Sequence, residues 1–340
     1  MARKSFSRLV EDHGQGSSSL NIAFGIRPSG TIHLGNMMTM ALAVGLTREL
    51  GAHRTSLDVT LCDLDLPDAI DWNIDEAGYV RHYRDIADQE GCHNSMAEHA
   101  GADVNYFLQS LAKTAHIDYD IRTLTDVQRS PKFREGLKRV LDNPDAMKLI
   151  IPTVSEKAIF VYPLCPQCKA SYTNNERGKK NTYDTQTGII HTHCANKECS
   201  IEEFDVEVLD PKFDLSVHMF IDPLRDSVFR PGADIHVFGG DYSLPHGSNG
   251  IPKIDKVMRI TEMATQSGRT PDYLVGPIIY ARDGMKMSKS MNNGLTVKQL
   301  RDYLGEEFPE RVLDFTMEKV RRGFLNIDFA LINERLLGAR

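Results

Sequence analysis

The sequence predicts an α/β protein built on a doubly wound parallel sheet. Short apolar segments bounded by glycine or proline recur along the chain, as buried parallel strands do. Segments with apolar residues at helical spacing separate them, and this alternation is typical of a parallel sheet covered by helices. The composition, 41% hydrophobic and 26% charged over 340 residues, allows one large domain with inserted or appended parts.

The chain opens with a predicted β-α-β unit. Residues 20–26 are apolar and suit a buried strand, and residues 34–50 carry apolar side chains at helical spacing. Gly51 ends this helix, and residues 54–63, rich in β-branched side chains, form the next strand. Further helices are predicted over 95–116, 132–141, 254–266, 296–303 and 308–322, and further strands over 158–162, 233–238 and 272–281.

Composition and charge disfavour several functions. No apolar run approaches the roughly 18 residues of a membrane span, and the N-terminus lacks the apolar core of a secretory signal. We therefore expect a cytoplasmic protein without a membrane partner. The net charge of -7 argues against extensive contact with a nucleic-acid backbone. Basic residues near the C-terminus could form a local patch, but a solvated helix face is the stronger interpretation of Lys319, Arg321, Arg322, Arg335 and Arg340.

The first motif is Pro28–Asn36 (PSGTIHLGN), a turn between the first strand and the first helix. Ligands of open α/β sheets bind beyond the carboxyl ends of the strands, where this turn lies. His33 and Asn36 share a face of the helix start, and both can donate hydrogen bonds to phosphate oxygens beside the helix dipole. Gly35 leaves room for a flat ring against the backbone. Alone, the motif would favour an ordinary helix cap.

The second motif is Lys286–Ser290 (KMSKS), which follows the last predicted strand. Lys286 and Lys289, with the hydroxyl of Ser288, suit a mobile clamp for a polyphosphate. Such a clamp can stabilise the charge that develops on leaving pyrophosphate; a solvated basic turn is the weaker alternative. Together the two motifs predict a site that holds ATP from two sides while a carboxylate attacks the α-phosphate. A third, weak signal is Gly239-Gly240-Asp241 after a strand, where glycines and a carboxylate suit a ribose.

Four of the six cysteines form two pairs, Cys165-x2-Cys168 and Cys194-x4-Cys199. Metal binding is a better interpretation than disulfides, and four thiolates suit a closed, structural zinc site. His191 and His193 are possible substitute ligands. Cys62 and Cys92 are isolated in the sequence.

The two nucleotide motifs resemble those of class I aminoacyl-tRNA synthetases. Within that class, Pro28–Asn36 is most similar to class I lysyl-tRNA synthetase, and Gly91–His99 (GCHNSMAEH) is similar to a stretch of the same family. The cysteine module occupies the place of the family's zinc-binding insertion. The resemblance extends from about residue 23 to about residue 325.

The resemblance implies a Rossmann-like, HUP-type nucleotide-binding core that uses ATP with Mg²⁺ and carries a structural Zn²⁺. His33 and Asn36 would bind the ATP phosphates, and Lys286 and Lys289, with Ser288, would hold the pyrophosphate. The remaining implied contacts are Gly35 under the adenine, Gly239, Gly240 and Asp241 near the ribose, and Ser29 and Gly30 beside the amino acid. Asp63 and Asp65 could hold the amino acid's ammonium group, or could form an ordinary turn at the end of a strand.

Two departures from the family bear on substrate and acceptor. The family continues into a helical domain that reads the anticodon, whereas this chain ends at Arg340, so we expect a protein lacking that domain. The family also has a tryptophan-rich run in its lysine pocket, whereas residues 218–225 (HMFIDPLR) contain no tryptophan. Asp222 could face a cationic substrate, but Arg225 could equally suit an acidic one.

The leading hypothesis is therefore a ligase that activates an amino acid with ATP and transfers it to an acceptor, with tRNA slightly favoured. A truncated paralogue that loads a small molecule, a peptide or a carrier protein is the alternative. A non-catalytic nucleotide-binding regulator is less favoured, since both motifs are intact. The predicted parts are residues 1–160 and 211–295 as two halves of the catalytic domain, 161–210 as the zinc-binding insertion, and 296–340 as a C-terminal helical segment.

Overall fold

A computed structural model describes residues 3–16, 18–67, 80–151, 161–171, 181–217, 225–226, 232–245, 250–265, 270–287 and 294–338. It confirms the predicted fold class: the central sheet has five strands, all parallel. These strands are β1 (Leu20–Ile26), β2 (Thr55–Leu61), β3 (Tyr119–Thr123), β9 (Ile235–Phe238) and β10 (Asp272–Val275).

The strand order is β10-β9-β1-β2-β3, so the winding direction reverses between β1 and β9. These two strands pair in parallel, with Ile22 opposite Ile235. Their carboxyl ends therefore diverge into connections on opposite sides of the sheet. Such a switch point forms the crevice in which open α/β sheets bind ligands.

Helices cover both faces of the sheet. Val237 of β9 belongs to a large apolar core beneath the first helices and the C-terminal helices, whereas the next residue, Phe238, packs on the other side against Ile254 and Val257. The helices are α1 (Phe6–His13), α2 (Leu34–Leu50), α3 (Met96–Ala115), α4 (Leu124–Val127), α5 (Pro131–Leu141), α6 (Pro144–Ile150), α7 (Lys253–Ala264), α8 (Val297–Leu304), α9 (Phe308–Arg321) and α10 (Phe329–Ile332). A π-helical turn, Asn333–Leu337, follows α10.

Helix α2 is buried on nearly every side, which explains its almost wholly apolar sequence. Its inner face packs on the sheet and its outer face packs against α3 and α9. A Cβ on Gly45 would collide with the Met317 side chain, so glycine lets α9 approach closely. The core therefore fixes the start of α2, which carries His33 and Asn36, against the rest of the fold.

Between β3 and β9 the chain forms two smaller sheets. The strands are β4 (Val161–Pro163), β5 (Thr182–Asp184), β6 (Ile189–His193), β7 (Glu203–Glu207) and β8 (Leu215–Val217). β5, β6 and β7 form an antiparallel meander, and β4 pairs with β8. The four paired cysteines lie in the turns around this meander.

The strand predicted over 272–281 is divided in two at Gly276-Pro277. β10 stays in the central sheet, whereas β11 (Ile278–Ile279) pairs with β12 (Asn326–Ile327), close to the end of the chain. Proline cannot donate a ladder hydrogen bond, which accounts for the break. Within the described part of the chain, no helix is long and apolar enough to span a bilayer.

Candidate active site

A cavity of about 230 Å³ opens at the switch point between β1 and β9. It brings together eight of the residues that the sequence analysis singled out, which come from four separate stretches of the chain. These are His33, Gly35, Asn36, Arg225, Gly239, Gly240, Asp241 and Lys286.

His33 is the N-cap of α2 and also lines the cavity. Its Nδ1 accepts a hydrogen bond from the Gly35 amide at 2.9 Å. In the neutral ring this places the proton on Nε2, which can then act as a donor. The backbone amide of His33 donates to Asn36 Oδ1 at 3.4 Å, which completes a capping box and leaves the Asn36 NH₂ group as a donor.

The glycines of the cavity have different neighbours. A Cβ on Gly35 would lie 2.7 Å from Cε1 of His33, so this glycine makes room for the histidine ring itself. A Cβ on Gly240 would collide with the Pro277 carbonyl and lie 2.5 Å from the Ile278 amide. Gly240 therefore lets the turn after β9 lie directly against the connection from β10 to β11.

Lys286 lines the cavity and lies 3.7 Å from Asp241. Both side chains are about two-fifths exposed (41% and 42%), so this is a weak, solvated ion pair.

The loop that begins at Lys286 is anchored at both of its described ends. At its start, the Met287 amide donates to the Ile279 carbonyl at 2.8 Å. After it, the Leu295 carbonyl accepts from the Leu34 amide at 2.7 Å, and Gly294 packs on the His33 side chain. The second motif is thus attached to the first.

A second group of charges lines the cavity beyond the ends of β1 and β9. Asp65 Oδ2 accepts from Arg27 Nε at 3.1 Å and from Arg225 Nη1. Arg225 also donates from Nε and Nη2 to Asp226 Oδ1, at 2.9 and 2.7 Å. Asp226 in turn accepts from the Tyr242 hydroxyl. All of these except Asp65 line the cavity, with Lys253 beside them.

Of this group, the sequence analysis singled out only Asp65 and Arg225. Arg27 could have been predicted to lie at the cavity, because it directly follows the first strand. Tyr242 likewise follows Gly239-Gly240-Asp241. Asp226 could also have been predicted, because it directly follows Arg225, which donates to it. Lys253 could not, since Asp226 and Tyr242, which it contacts, come from other segments of the chain.

Asp63 does not reach the cavity lining. Burial raises its pKa, although its oxygens accept hydrogen bonds from the Thr125 amide and hydroxyl at 3.0 and 2.5 Å. These contacts join the end of β2 to the start of α4. Neither Asp63 nor Asp65 therefore presents an unoccupied carboxylate to an amino acid.

The other predicted residues lie elsewhere. Ser29 and Gly30 form the turn before α2, with Gly30 at a φ of 105°, and neither lines the cavity. Asp222, Ser288 and Lys289 lie outside the described residues.

The four paired cysteines converge on one point. Their sulfur atoms lie within 4.8 Å of one another, with Cys165 to Cys199 at 3.9 Å and Cys168 to Cys194 at 3.4 Å. Four sulfurs around one zinc at about 2.3 Å would be about 3.8 Å apart, so the spacing fits. His191 instead pairs with Asp205 at 2.8 Å.

Cys92 is not isolated, contrary to the sequence interpretation. Its sulfur lies 3.1 Å from His93 Nδ1, 3.3 Å from His99 Nδ1 and 3.2 Å from Asp88 Oδ2. Burial opposes ionisation of Asp88, but hydrogen bonds from Cys92 and the loop amides outweigh it and lower its pKa. One sulfur, two imidazoles and one carboxylate are a donor set that could hold zinc. The sequence could have indicated this cluster, because Cys92 and His93 are adjacent and His99 follows six residues after His93.

This second cluster lies beside the turn before α2. The Thr31 hydroxyl is 3.5 Å from Glu90 Oε1, and Met96 Cε lies 3.8 Å from where a Gly30 Cβ would be. The segment 80–99 thus packs against the first motif.

Fold and site together define a class of protein: an α/β domain with a parallel sheet, a cavity at its switch point where the two sequence motifs meet, and a cluster of four cysteines between β3 and β9. A family model described as tRNA synthetases class I (K) matches residues 2–214, more than half of the chain. The chain therefore belongs to this family.

Curated relatives agree with the family. The chain is similar to lysine–tRNA ligases from Methanosarcina barkeri (25% identity over 194 residues) and Archaeoglobus fulgidus (29% over 166 residues). These alignments cover 55% and 45% of this chain but only 35% and 32% of the relatives, so the matched region spans about a third of their length. The crystal structure of tyrosyl-tRNA synthetase complexed with L-tyrosine from Archaeoglobus fulgidus is similar to this chain, with a TM-score of 0.39. The two share 15% identity, and the match covers 94% of this chain and 80% of that one, so it carries no argument about binding.

Proposed function

We propose that this protein activates an amino acid with ATP and transfers the aminoacyl group to tRNA. The observation that carries the proposal is the cavity at the switch point, where His33, Asn36 and Lys286 converge. Membership in the class I (K) tRNA synthetase family supports the same reaction.

In this reaction the amino acid's carboxylate oxygen attacks the α-phosphorus, and the bond from that phosphorus to the pyrophosphate oxygen breaks. Pyrophosphate leaves with the bonding electrons, so no protein nucleophile or base is required. His33 Nε2 and the Asn36 amide would donate to the phosphates, while Lys286 would neutralise the leaving group. Mg²⁺ bound with ATP would supply further positive charge to the phosphates. We assign Lys289 and Ser288 to the leaving-group side on the strength of the motif alone.

The nucleoside would lie on the side of the cavity formed by the turn after β9. Gly239 and Gly240 line the cavity there, and Asp241 would accept from ribose hydroxyls once Lys286 turns to the phosphates. Ile279 and Met287 also line the cavity and provide an apolar wall for the base.

We further propose that both metal-type clusters bind zinc in a structural role. Each offers four donors, which closes the coordination sphere and leaves no position for a reactive water. Thiolate ligands suit a reducing compartment, and we place the protein in the cytoplasm.

The direct test is ATP–pyrophosphate exchange with each amino acid, with and without bulk tRNA. Exchange with one amino acid would support activation, and acid-precipitable labelling of tRNA with that amino acid would support the acceptor. The Lys286→Met variant is the matched negative control. Absence of exchange for every amino acid in both conditions would contradict the proposal.

A further inference from the structure

The second cluster, formed by Asp88, Cys92, His93 and His99, draws its members from both sides of a helix start. Three of them belong to the loop before α3, whereas His99 is buried in the first turn of α3. Its Nδ1 lies 3.2 Å from Asp88 Oδ1, and Nε2, across the ring, lies 3.8 Å from Asp103 Oδ2. A carboxylate behind the ring is the common support of a histidine that ligates a metal, so this arrangement fits a zinc ion. An ion held there would tie the loop to the helix.

The start of α3 is joined to the residues that follow β2. The Ala97 amide donates to the Tyr83 carbonyl at 3.3 Å, and the Tyr83 amide donates to the Asp65 carbonyl at 3.1 Å. The side chains of Tyr83 and Ala97 also share an apolar cluster with Leu61, the last residue of β2. The place of Asp65 therefore depends on the segment that the second cluster would tie to α3.

Asp65 in turn holds one part of the cavity wall. Its Oδ2 accepts from Arg27 Nε at 3.1 Å and from Arg225 Nη1, and both arginines line the cavity. The turn that follows Arg27 meets the same segment, because Met96 Cε lies 3.8 Å from where a Cβ on Gly30 would be. The second cluster is thus connected to this wall both through Asp65 and through the turn before α2.

The residues proposed to bind ATP are held by other neighbours. His33 caps α2, whose apolar side chains lie in the main core. Lys286 is followed by Met287, whose amide donates to the Ile279 carbonyl at 2.8 Å. A change confined to the second cluster should therefore disturb the wall formed by the arginines more than the ATP contacts.

We propose that Asp88, Cys92, His93 and His99, by holding a metal ion, position the amino-acid side of the cavity. Affinity for the amino acid then depends on occupancy of this site, whereas affinity for ATP does not. The inference rests on the proposed function, because it assigns the motif residues to ATP and the wall with Arg27 to the second substrate. The four ligands are positioning residues, since they act through the segment that holds Asp65.

Hydrogen exchange by mass spectrometry, with zinc measured on the same samples, tests the positioning independently of activity. Cys92→Ala should lose one zinc ion and exchange roughly tenfold faster over residues 27–31, 61–65 and 83–84, with no change over 34–50. Cys92→His, which keeps a donor atom, should restore both zinc and protection. The control is Cys168→Ser, which should lose the zinc of the four-cysteine cluster without faster exchange in these segments.

A second variant keeps all four ligands and covers the case in which Cys92→Ala does not fold. Asp103→Asn removes the charge behind His99, so the same zinc should be lost at a chelator concentration roughly tenfold to a hundredfold lower than in the wild type. Exchange over the same segments should rise as that zinc leaves. Loss of this zinc with unchanged exchange, or wild-type protein that binds zinc at the four cysteines alone, would overturn the inference.

Steady-state kinetics then separate this inference from the proposed function. In ATP–pyrophosphate exchange, Cys92→Ala should raise KM for the amino acid that the wild type accepts roughly tenfold, while KM for ATP stays within about twofold. Equal changes for both substrates would overturn the inference and leave the proposed function standing. Silence of the wild type with every amino acid would contradict the proposed function, and the hydrogen-exchange result would then decide the positioning by itself.

Discussion

His33 has two roles that can be separated by two substitutions. It caps α2 through Nδ1, and its ring lines the cavity where the phosphates are proposed to bind. His33→Ala removes both the cap and the ring donor. His33→Asn removes the ring but supplies an oxygen that can accept from the Gly35 amide, since asparagine is among the preferred N-cap residues.

The size of each effect follows from the contacts. Both variants lose the ring and its packing against Gly35 and Gly294, so this loss cancels when they are compared. The remaining difference in the free energy of unfolding is the cap, and His33→Ala should be less stable than His33→Asn by about 1 kcal/mol. Loss of one donor to a developing charge costs about 10²–10³ in kcat, and both variants should show it.

Urea unfolding measures the first quantity, and ATP–pyrophosphate exchange with the amino acid that the wild type accepts measures the second. The capping-box contact from the His33 amide to Asn36 remains in both variants, because it uses the backbone. If His33→Asn kept exchange within about threefold of the wild type, the ring would be only a cap and the phosphate role would be wrong.

Three further predictions concern other parts of the site. Gly240→Ala should abolish measurable ATP binding by calorimetry, because the added methyl group collides with the backbone of Pro277 and Ile278. The control variant Gly276→Ala, in which the added methyl group would have its nearest neighbour 3.4 Å away, should bind ATP nearly normally. Equal binding by both variants would refute the close approach at Gly240. Lys286→Met should lower kcat of exchange about 10²–10³-fold and change ATP affinity much less, since the ammonium acts on the leaving group; a loss confined to affinity would contradict this. Purified protein should contain two zinc ions per chain by metal analysis. Cys168→Ser and Cys92→Ala should each remove one of them. An unchanged zinc content in Cys92→Ala would argue against the second cluster.

Local sequence was sufficient for the central strands and for α2. β1 and α2 begin and end at the predicted residues, because buried parallel strands and a helix buried on all sides both leave uninterrupted apolar runs. Strand β3, at the sheet edge, was not predicted. Its side chains are half-buried or exposed and include Asp120 and Arg122, so no apolar run marks it. The four-part division of the chain stays a prediction.

The site was predictable where one short segment carries the chemistry. The first motif predicts its own geometry, since the cap, the helix start and the proposed phosphate donors lie within nine residues of one another. The second group of charges in the cavity depends on Arg27, Asp65 and Arg225, which come from three distant segments of the chain. Asp65 was a candidate ligand for an ammonium group because its arginine partners cannot be inferred from local sequence.

The pairing of the two nucleotide motifs, about 250 residues apart in the chain, has a structural cause. His33 pairs with Thr296 across an isolated β-bridge, and the adjacent Leu34 amide bonds the Leu295 carbonyl. Gly294 would bring a Cβ within 3.0 Å of the His33 Cβ, so only a glycine lets the end of the lysine loop lie this close. A change at Gly294 should therefore disturb both His33, the residue that caps α2, and the described end of the second motif's loop.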